Sequence, residues 1–166
     1  RRKLNWKVIR ALALETGYIT AGLLFLIIAA NLYGRMLTLT TIPMQMTAFI
    51  ASLDVSLLGF MLLYLAVVVL LGMILDSVSI MLIMLPMALP VVAALGGDLI
   101  WFGIVTVIAI EIGLLTPPFG LSVFVVKGSL PPGFVSLSDI FSGAAPFVIT
   151  MVLVTILLVL FPAIST

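Results

Sequence analysis

Two carboxylates stand inside long apolar stretches of this sequence. Asp76 follows LLGFMLLYLAVVVLLGMIL, and Glu111 lies within LIWFGIVTVIAIEIGLL. Because a charge inside a membrane is costly, each carboxylate is a candidate functional residue. Each also has a structural interpretation, which remains open: Asp76 would cap the helix that follows it, and Glu111 would pair with a partner subunit.

Both carboxylates lie beside segments that disfavour a continuous helix. The first, residues 72–79, reads GMILDSVS, and the second, residues 113–120, reads GLLTPPFG. Adjacent prolines lack amide hydrogens, and Pro117 pushes Thr116 out of the helical region. Non-helical backbone at membrane depth leaves polar groups unpaired, so it persists where it lines a cavity or binds something. Ser77 and Thr116 are the hydroxyls at the interruptions themselves, which makes them candidate ligands.

Interrupted membrane helices offer two kinds of polar group. Amides at the N-terminal ends of half-helices attract anions, and freed carbonyls suit Na⁺. The two interruptions together predict a site for an anionic substrate with cation coupling. Since no arginine lies near either one, a substrate carboxylate would depend on helix N-termini or on a basic residue from elsewhere.

The composition places the chain in a membrane. Hydrophobic residues make up 64%, charged residues 8%, and the mean hydropathy is +1.49, whereas soluble domains are about 45–50% apolar and about 25% charged. We therefore predict an all-α integral membrane protein in a lipid bilayer. A net charge of +1 gives no nucleic-acid footprint, and the absence of cysteine and histidine excludes thiol nucleophiles, disulfides, Cys/His zinc sites and imidazole bases.

Hydropathy and turn residues divide the chain into seven predicted segments. Five of the seven basic residues lie in the first ten positions, which predicts a cytoplasmic N-terminus. The segments are an amphipathic interfacial helix (1–15), a transmembrane helix (16–37), a periplasmic connector (38–54), a re-entrant helical hairpin (55–95) with Pro86 and Pro90 kinking its second arm, a broken transmembrane helix (98–127), a cytoplasmic loop (128–139), and a C-terminal transmembrane helix (140–164) capped by Ser138 or Asp139. For 55–95, two complete antiparallel spans are the alternative.

Two long motifs carry a family resemblance. They are GMILDSVSIMLIMLPMALP at residues 72–90 and GGDLIWFGIVTVIAIEIGLLTPPFGLSVFV at residues 96–125, followed by APF at 145–147 and FP at 161–162. In combination they resemble the large membrane subunit of tripartite ATP-independent periplasmic (TRAP) transporters, over roughly residues 16–164. The resemblance implies the second inverted repeat of an elevator-type, Na⁺-driven importer of small organic acids such as C4-dicarboxylates or sialic acid, in the bacterial inner membrane.

The resemblance also implies partners and ligands. The partners are a small membrane subunit, a periplasmic substrate-binding protein and the missing N-terminal half of the same permease. Na⁺ is the coupling ion and no other cofactor is implied. The backbone carbonyls of Gly113, Leu115 and Pro118 would bind Na⁺, with Ser77 or a neighbour completing the shell and Thr116 as a further ligand. The expected substrate site comprises Gly72, Asp76, Ser77, Thr116 and Pro117.

Three other functions compete with this interpretation. Another two-repeat Na⁺/anion symporter would also bind its ligands at interrupted helices. An intramembrane protease could use Asp76 and Glu111 as an aspartyl dyad, although the sequence has neither HExxH nor GxSxG. A purely structural membrane subunit would leave both interruptions without a purpose. We therefore expect a transporter and not an enzyme.

Overall fold

The computed structural model describes residues 5–131 and 133–165, and within them the predicted all-α fold is confirmed. No strand occurs in these residues. The elements in chain order are α1 (Trp6–Leu39), α2 (Ile42–Ser52), α3 (Leu57–Gly72), α4 (Ser77–Ala94), α5 (Leu99–Leu115), α6 (Leu121–Ser129), α7 (Leu137–Leu160) and a short 3₁₀ helix (Pro162–Ile164). By length and composition, three described helical stretches could cross a membrane: Trp6–Leu37, Ser77–Ala94 and Leu137–Leu160.

The chain divides into two compact units, Arg1–Thr40 and Thr41–Thr166. The first unit contains α1, a single helix of 34 residues. It runs without interruption through residue 15, where the sequence predicted a boundary between an interfacial helix and a span. No proline lies between Trp6 and Leu39, and isolated glycines within a helix cost only about 1 kcal/mol each relative to alanine. The interfacial position of the first residues stays a prediction, and residues 1–4 lie outside the described part.

The second unit begins with a helix that the sequence interpretation missed. Residues 38–54 were predicted as a connector, but Thr38 and Leu39 end α1, and α2 occupies Ile42–Ser52. Pro43 stands in the first turn of α2, where its missing amide hydrogen removes no helical bond, and its carbonyl accepts a bond from Thr47 Oγ1 at 2.8 Å. This helix packs against α4. The sequence predicts a connector there because it mixes polar and apolar residues. Such a mixture is also expected of a helix that packs on one side only and keeps polar residues on the other.

Helices α3 and α4 form an antiparallel pair joined by a four-residue turn, residues 73–76. Ser56 caps α3 by accepting a bond from the amide of Gly59 at 3.2 Å. Pro86 and Pro90, predicted to kink the second arm, lie inside α4, which is continuous through both of them. The two helices thus form a hairpin whose turn is the first of the two interruptions.

Helix α5 is the centre of the second unit and packs against α3, α4, α6 and α7. Two polar contacts fix its neighbours. Trp101 Nε1 donates to the carbonyl of Leu158 in α7 at 2.7 Å, and Thr106 Oγ1 lies 3.3 Å from the hydroxyl of Tyr64 in α3. Phe102 is fully buried between these two contacts. The hairpin and the C-terminal helix are therefore both held by one central helix.

The last helix begins earlier than predicted. Its N-cap is Ser136, not Ser138 or Asp139, and α7 starts at Leu137 rather than residue 140. Asp139 completes a capping box: Ser136 Oγ accepts from its amide at 3.1 Å, and Asp139 Oδ2 accepts from the amide of Ser136 at 3.1 Å. A serine followed three residues later by an acidic side chain satisfies two amides reciprocally, which explains the earlier start. Lys127 Nζ, in the last turn of α6, donates to the carbonyl of Val135 in the loop that precedes α7.

Candidate functional site

The second predicted interruption separates α5 from α6. Helix α5 ends at Leu115, and Thr116 turns into an extended conformation with φ −91° and ψ 135°. The Pro117–Pro118 peptide bond is cis. Helix α6 begins after Gly120, whose φ is +50°. We call residues 116–120 the Pro-Pro break.

Free carbonyl groups line the Pro-Pro break. The amide of Thr116 donates to the carbonyl of Gly113 at 3.0 Å, and Thr116 Oγ1 donates to the carbonyl of Ile112. Among the described residues, the carbonyls of residues 114–119 accept no hydrogen bond. Of the carbonyls expected to bind Na⁺, those of Leu115 and Pro118 are therefore free, and that of Gly113 already accepts one bond.

The turn of the hairpin supplies a second set. The carbonyl of Leu71 accepts from the amides of Ile74 at 2.9 Å and Leu75 at 2.8 Å, which tightens the end of α3. In the part of the chain that the structure describes, the carbonyls of residues 72–75 accept no hydrogen bond. The hairpin turn and the Pro-Pro break thus both offer free backbone carbonyls to a ligand.

Asp76 caps α4. Its Oδ2 accepts from the amide of Ser79 at 3.1 Å, and its Oδ1 accepts from the Ser79 hydroxyl. The geometry therefore supports the structural interpretation of Asp76, that of a cap on the helix that follows it. Ser77, the first residue of α4, is half-buried, and its hydroxyl has no hydrogen-bond partner within the described ranges.

Glycines bring the two interruptions together. A Cβ atom added to Gly113 would lie 2.6 Å from the carbonyl oxygen of Val69 and 2.7 Å from Cα of Gly72. At the other end of the same two helices, a Cβ on Gly97 would lie 3.1 Å from Leu57 Cδ1. Helices α3 and α5 therefore run parallel, and their C-terminal ends meet. Each helix C-terminus carries the equivalent of about half a negative charge, so the junction favours a cation.

Glu111 lies inside α5, one turn before its end, and is half-buried. Its carboxylate has no hydrogen-bond partner in residues 5–131 and 133–165, and it shares no hydrogen bond with Asp76. An aspartyl dyad therefore gains no support from the geometry. Those residues also contain no cluster of three or more acidic, histidine or cysteine side chains that could hold a metal ion.

The sequence interpretation missed the residues that hold α5 and the Pro-Pro break against their neighbours. Besides Trp101, Tyr64 and Thr106, these include Phe141 of α7, whose ring would lie 2.7 Å from a Cβ added to Gly120. A usable signal existed for the tryptophan and tyrosine, because a buried indole or phenol needs a hydrogen-bond partner. No local signal pairs Phe141 with a glycine more than twenty residues away.

Comparison with known proteins identifies the family of this chain. Residues 1–164 match the family described as "Tripartite ATP-independent periplasmic transporter, DctM component". The chain is 34% identical over 154 residues, 92% of its length, to a C4-dicarboxylate TRAP transporter large permease protein of Pseudomonas aeruginosa, and covers 35% of that relative. It is 29% identical over 165 residues, 99% of its length, to a sialic acid TRAP transporter permease protein of Haemophilus influenzae, and covers 26% of that relative.

A third relative is named for a different compound. The chain is 27% identical over 164 residues, 99% of its length, to an ectoine TRAP transporter large permease protein of Halomonas elongata, of which it covers 38%. The chain thus spans between a quarter and two fifths of these curated relatives. The family is one of transporter permeases rather than enzymes. With its apolar helices and its match from residue 1 to residue 164, this chain belongs to the DctM family, the large permease component of TRAP transporters.

Proposed function

We propose that this chain forms an ion- and substrate-binding half of the large permease of a Na⁺-coupled TRAP transporter that imports small organic acids. The proposal draws its substrate class from the relatives, whose names specify C4-dicarboxylates, sialic acid and ectoine. The observation that carries it is the meeting of two helix C-termini, with free carbonyls at residues 72–75 and 114–119 in the described part.

Helix lengths support a position inside the bilayer for both interruptions. Helix α3 has 16 residues, about 24 Å at 1.5 Å per residue, which is less than the ~30 Å hydrocarbon core. Helix α5 has 17 residues, or about 26 Å, and α6 adds about 14 Å more with its nine residues. With Ser56 and Asp98 at one membrane surface, the hairpin turn and the Pro-Pro break both lie short of the other. The length of α3 favours a re-entrant first arm, whereas α4, with 18 residues, is long enough to cross the membrane.

The free carbonyls support a cation. At membrane depth a carbonyl without a partner costs several kcal/mol, and a bound Na⁺ removes that cost. Leu115 and Pro118 contribute unpaired carbonyls, and Gly113 contributes one with a remaining lone pair. Thr116 donates its own hydroxyl hydrogen to Ile112, which leaves the hydroxyl oxygen as an acceptor for the ion. Ser77, whose hydroxyl is unpaired within the described residues, would approach from the hairpin.

The helix N-termini support the substrate carboxylate. Asp76 already occupies the start of α4 as its cap, so an added anion there meets like charge. At α6 the cap is Gly120, which makes no side-chain hydrogen bond; the amide of Val123 donates to the Gly120 carbonyl at 2.8 Å, and the amides of Leu121 and Ser122, which make no hydrogen bond among the described residues, are open to an anion. Pro117 and Thr116 lie next to the N-terminus of α6, whereas Gly72 and Ser77 lie next to the N-terminus of α4. We therefore place the substrate carboxylate nearer to α6.

The remaining parts of the transporter belong to the proposal as well. The description of the family as tripartite implies other subunits, and we propose a small membrane subunit and a periplasmic binding protein that delivers the ligand. The rest of the permease would contribute a second, inverted repeat in the bacterial inner membrane. The hairpin and broken helix would move together in an elevator-type transport step.

The test is Na⁺-dependent uptake by the complete transporter reconstituted in vesicles. The variants are Thr116→Ala and Pro118→Ala, and Pro90→Ala, an exposed proline within α4, is the matched control. Thr116→Ala removes one ligand oxygen, which costs about 1 kcal/mol, so the Na⁺ concentration for half-maximal uptake should rise about fivefold. Pro118→Ala keeps its carbonyl but removes the ring that holds the backbone out of a helix, so half-maximal Na⁺ should rise there as well, and it should stay unchanged in the control. Uptake that is equally fast without Na⁺, or unchanged Na⁺ dependence in both site variants, overturns the proposal.

A further inference from the structure

Helices α3 and α5 touch backbone to backbone where two glycines meet, Gly72 and Gly113. A Cβ on Gly72 would lie 3.0 Å from Cα of Gly113 and 3.0 Å from the carbonyl oxygen of Ile110. A Cβ on Gly113 would lie 2.6 Å from the carbonyl oxygen of Val69. Real Cβ atoms essentially never show the separations found at Gly113, and at Gly72 a Cβ fits only if its neighbours move by a few tenths of an ångström.

The contact is reciprocal. The α-hydrogen of Gly113 that a side chain would replace points at the Val69 carbonyl, and the corresponding hydrogen of Gly72 points at the Ile110 carbonyl. Such Cα–H···O contacts recur where small residues let two membrane helices approach closely. Both glycines are buried. The α3–α5 crossing is thus made of main-chain atoms, which have no rotamers with which to adjust.

The position of the crossing gives it a consequence for the site. Gly72 is the last residue of α3, directly before the hairpin turn. Gly113 lies two residues before the end of α5 and three before Thr116, where the backbone becomes extended. The free carbonyls of the hairpin turn and those of the Pro-Pro break therefore begin within a few residues of one shared contact.

We propose that Gly72 and Gly113 form a fixed joint that sets the separation between the hairpin turn and the Pro-Pro break, and so act as positioning residues for the cation. This inference rests on the proposed Na⁺ site. A methyl group at either glycine pushes the helix ends apart by a few tenths of an ångström, and the two sets of carbonyls separate with them. Coordination of an ion by several oxygens requires all of them at contact distance at once, so a small separation weakens binding while the fold persists.

The experiment uses ²²Na⁺ binding and Na⁺-dependent uptake by the complete transporter with Gly72→Ala, Gly113→Ala and the double variant. Gly103→Ala is the matched control, because Gly103 also lies in α5 and a Cβ there meets no atom within 4 Å. We expect half-maximal Na⁺ to rise at least threefold in Gly72→Ala and further in Gly113→Ala, where the added atom is closer to its neighbours. Because both substitutions disrupt one shared contact, half-maximal Na⁺ in the double variant should rise by less than the product of the two single increases.

A purely structural role would lower thermal stability and protein level without moving half-maximal Na⁺ in the protein that remains folded. Normal Na⁺ dependence in folded Gly72→Ala, together with a shift in Thr116→Ala, therefore overturns the joint and leaves the Na⁺ site intact. If Thr116→Ala, Pro118→Ala and both glycine variants all show normal Na⁺ dependence, the Na⁺ site fails as well.

A direct distance measurement keeps the joint testable where a glycine variant does not fold. Spin labels at Ile74→Cys in the hairpin turn and Phe119→Cys in the Pro-Pro break, both exposed, report the separation in a transporter with both glycines intact. A fixed joint predicts one narrow distance that is the same with and without Na⁺. A broad or Na⁺-dependent distribution overturns it.

Discussion

Asp76 and Ser79 are joined by two hydrogen bonds. One carboxylate oxygen accepts from the Ser79 amide at 3.1 Å, and the other accepts from the Ser79 hydroxyl. Both oxygens of the acidic side chain in the hairpin are thereby directed to the first turn of α4. The finding bears out the capping interpretation of Asp76 that its sequence context allowed, and a cap accounts for the charge without a bound ion.

This arrangement predicts different outcomes for two substitutions at one position. Asp76→Asn keeps an oxygen that can cap α4, and we expect Na⁺-dependent uptake close to normal. Asp76→Ala removes the cap and should destabilise the protein by about 1 kcal/mol, measured by thermal unfolding in detergent. If Asp76→Asn raised half-maximal Na⁺ as strongly as Thr116→Ala does, the carboxylate charge would be part of the ion site.

Gly120 should tolerate no side chain. Its φ of +50° costs a residue with a Cβ about 1–2 kcal/mol, and that Cβ would lie 2.7 Å from the Phe141 ring. We expect Gly120→Ala to lower the melting temperature clearly, and Phe141→Leu in the same protein to restore part of the loss. Gly128→Ala, inside α6 with open space around it, is the control and should not lower stability. Equal melting temperatures for Gly120→Ala and Gly128→Ala would contradict this account.

Trp101 should contribute to stability through its indole hydrogen bond. Trp101→Phe keeps much of the ring but leaves the Leu158 carbonyl without its partner at 2.7 Å. The expected loss is about 1 kcal/mol, seen as a lower melting temperature of the purified permease with little change in half-maximal Na⁺. Trp6→Phe serves as the control, since Trp6 is 75% exposed. A loss no larger than in the control would mean that the bond contributes nothing.

Accessibility to a membrane-impermeant thiol reagent should separate a re-entrant hairpin from two complete spans. This chain has no cysteine, so in a transporter whose other parts are made free of cysteine, Ser77→Cys and Gln45→Cys each introduce a single target. A hairpin turn inside the bilayer predicts slow labelling at 77 that changes with substrate, and fast, unchanging labelling from the periplasm at 45. Equal rates at both positions would favour two complete spans, and labelling at 45 only after the inner membrane is opened would reverse the predicted orientation.

Local chemistry allowed several features to be predicted correctly. Gly113, Thr116, Pro117 and Pro118 cannot continue a helix together, and the structure ends α5 among them. The turn between α3 and α4 falls at residues 73–76, within the predicted interruption. Boundaries that depend on packing or on reciprocal caps were misplaced, as at α2 and at the Ser136 cap of α7.

By itself the sequence determined the membrane class, the all-helical fold and the positions where the helices are interrupted, because hydropathy, proline and glycine act over a few neighbouring residues. Only the tertiary structure decided that the interruptions meet. Gly72 and Gly113 are forty-one positions apart in the chain, and each alone is an ordinary helix-end glycine. Their contact exists because α3 and α5 run parallel with no side chain between them, a relationship that depends on how whole helices pack and not on any local pattern.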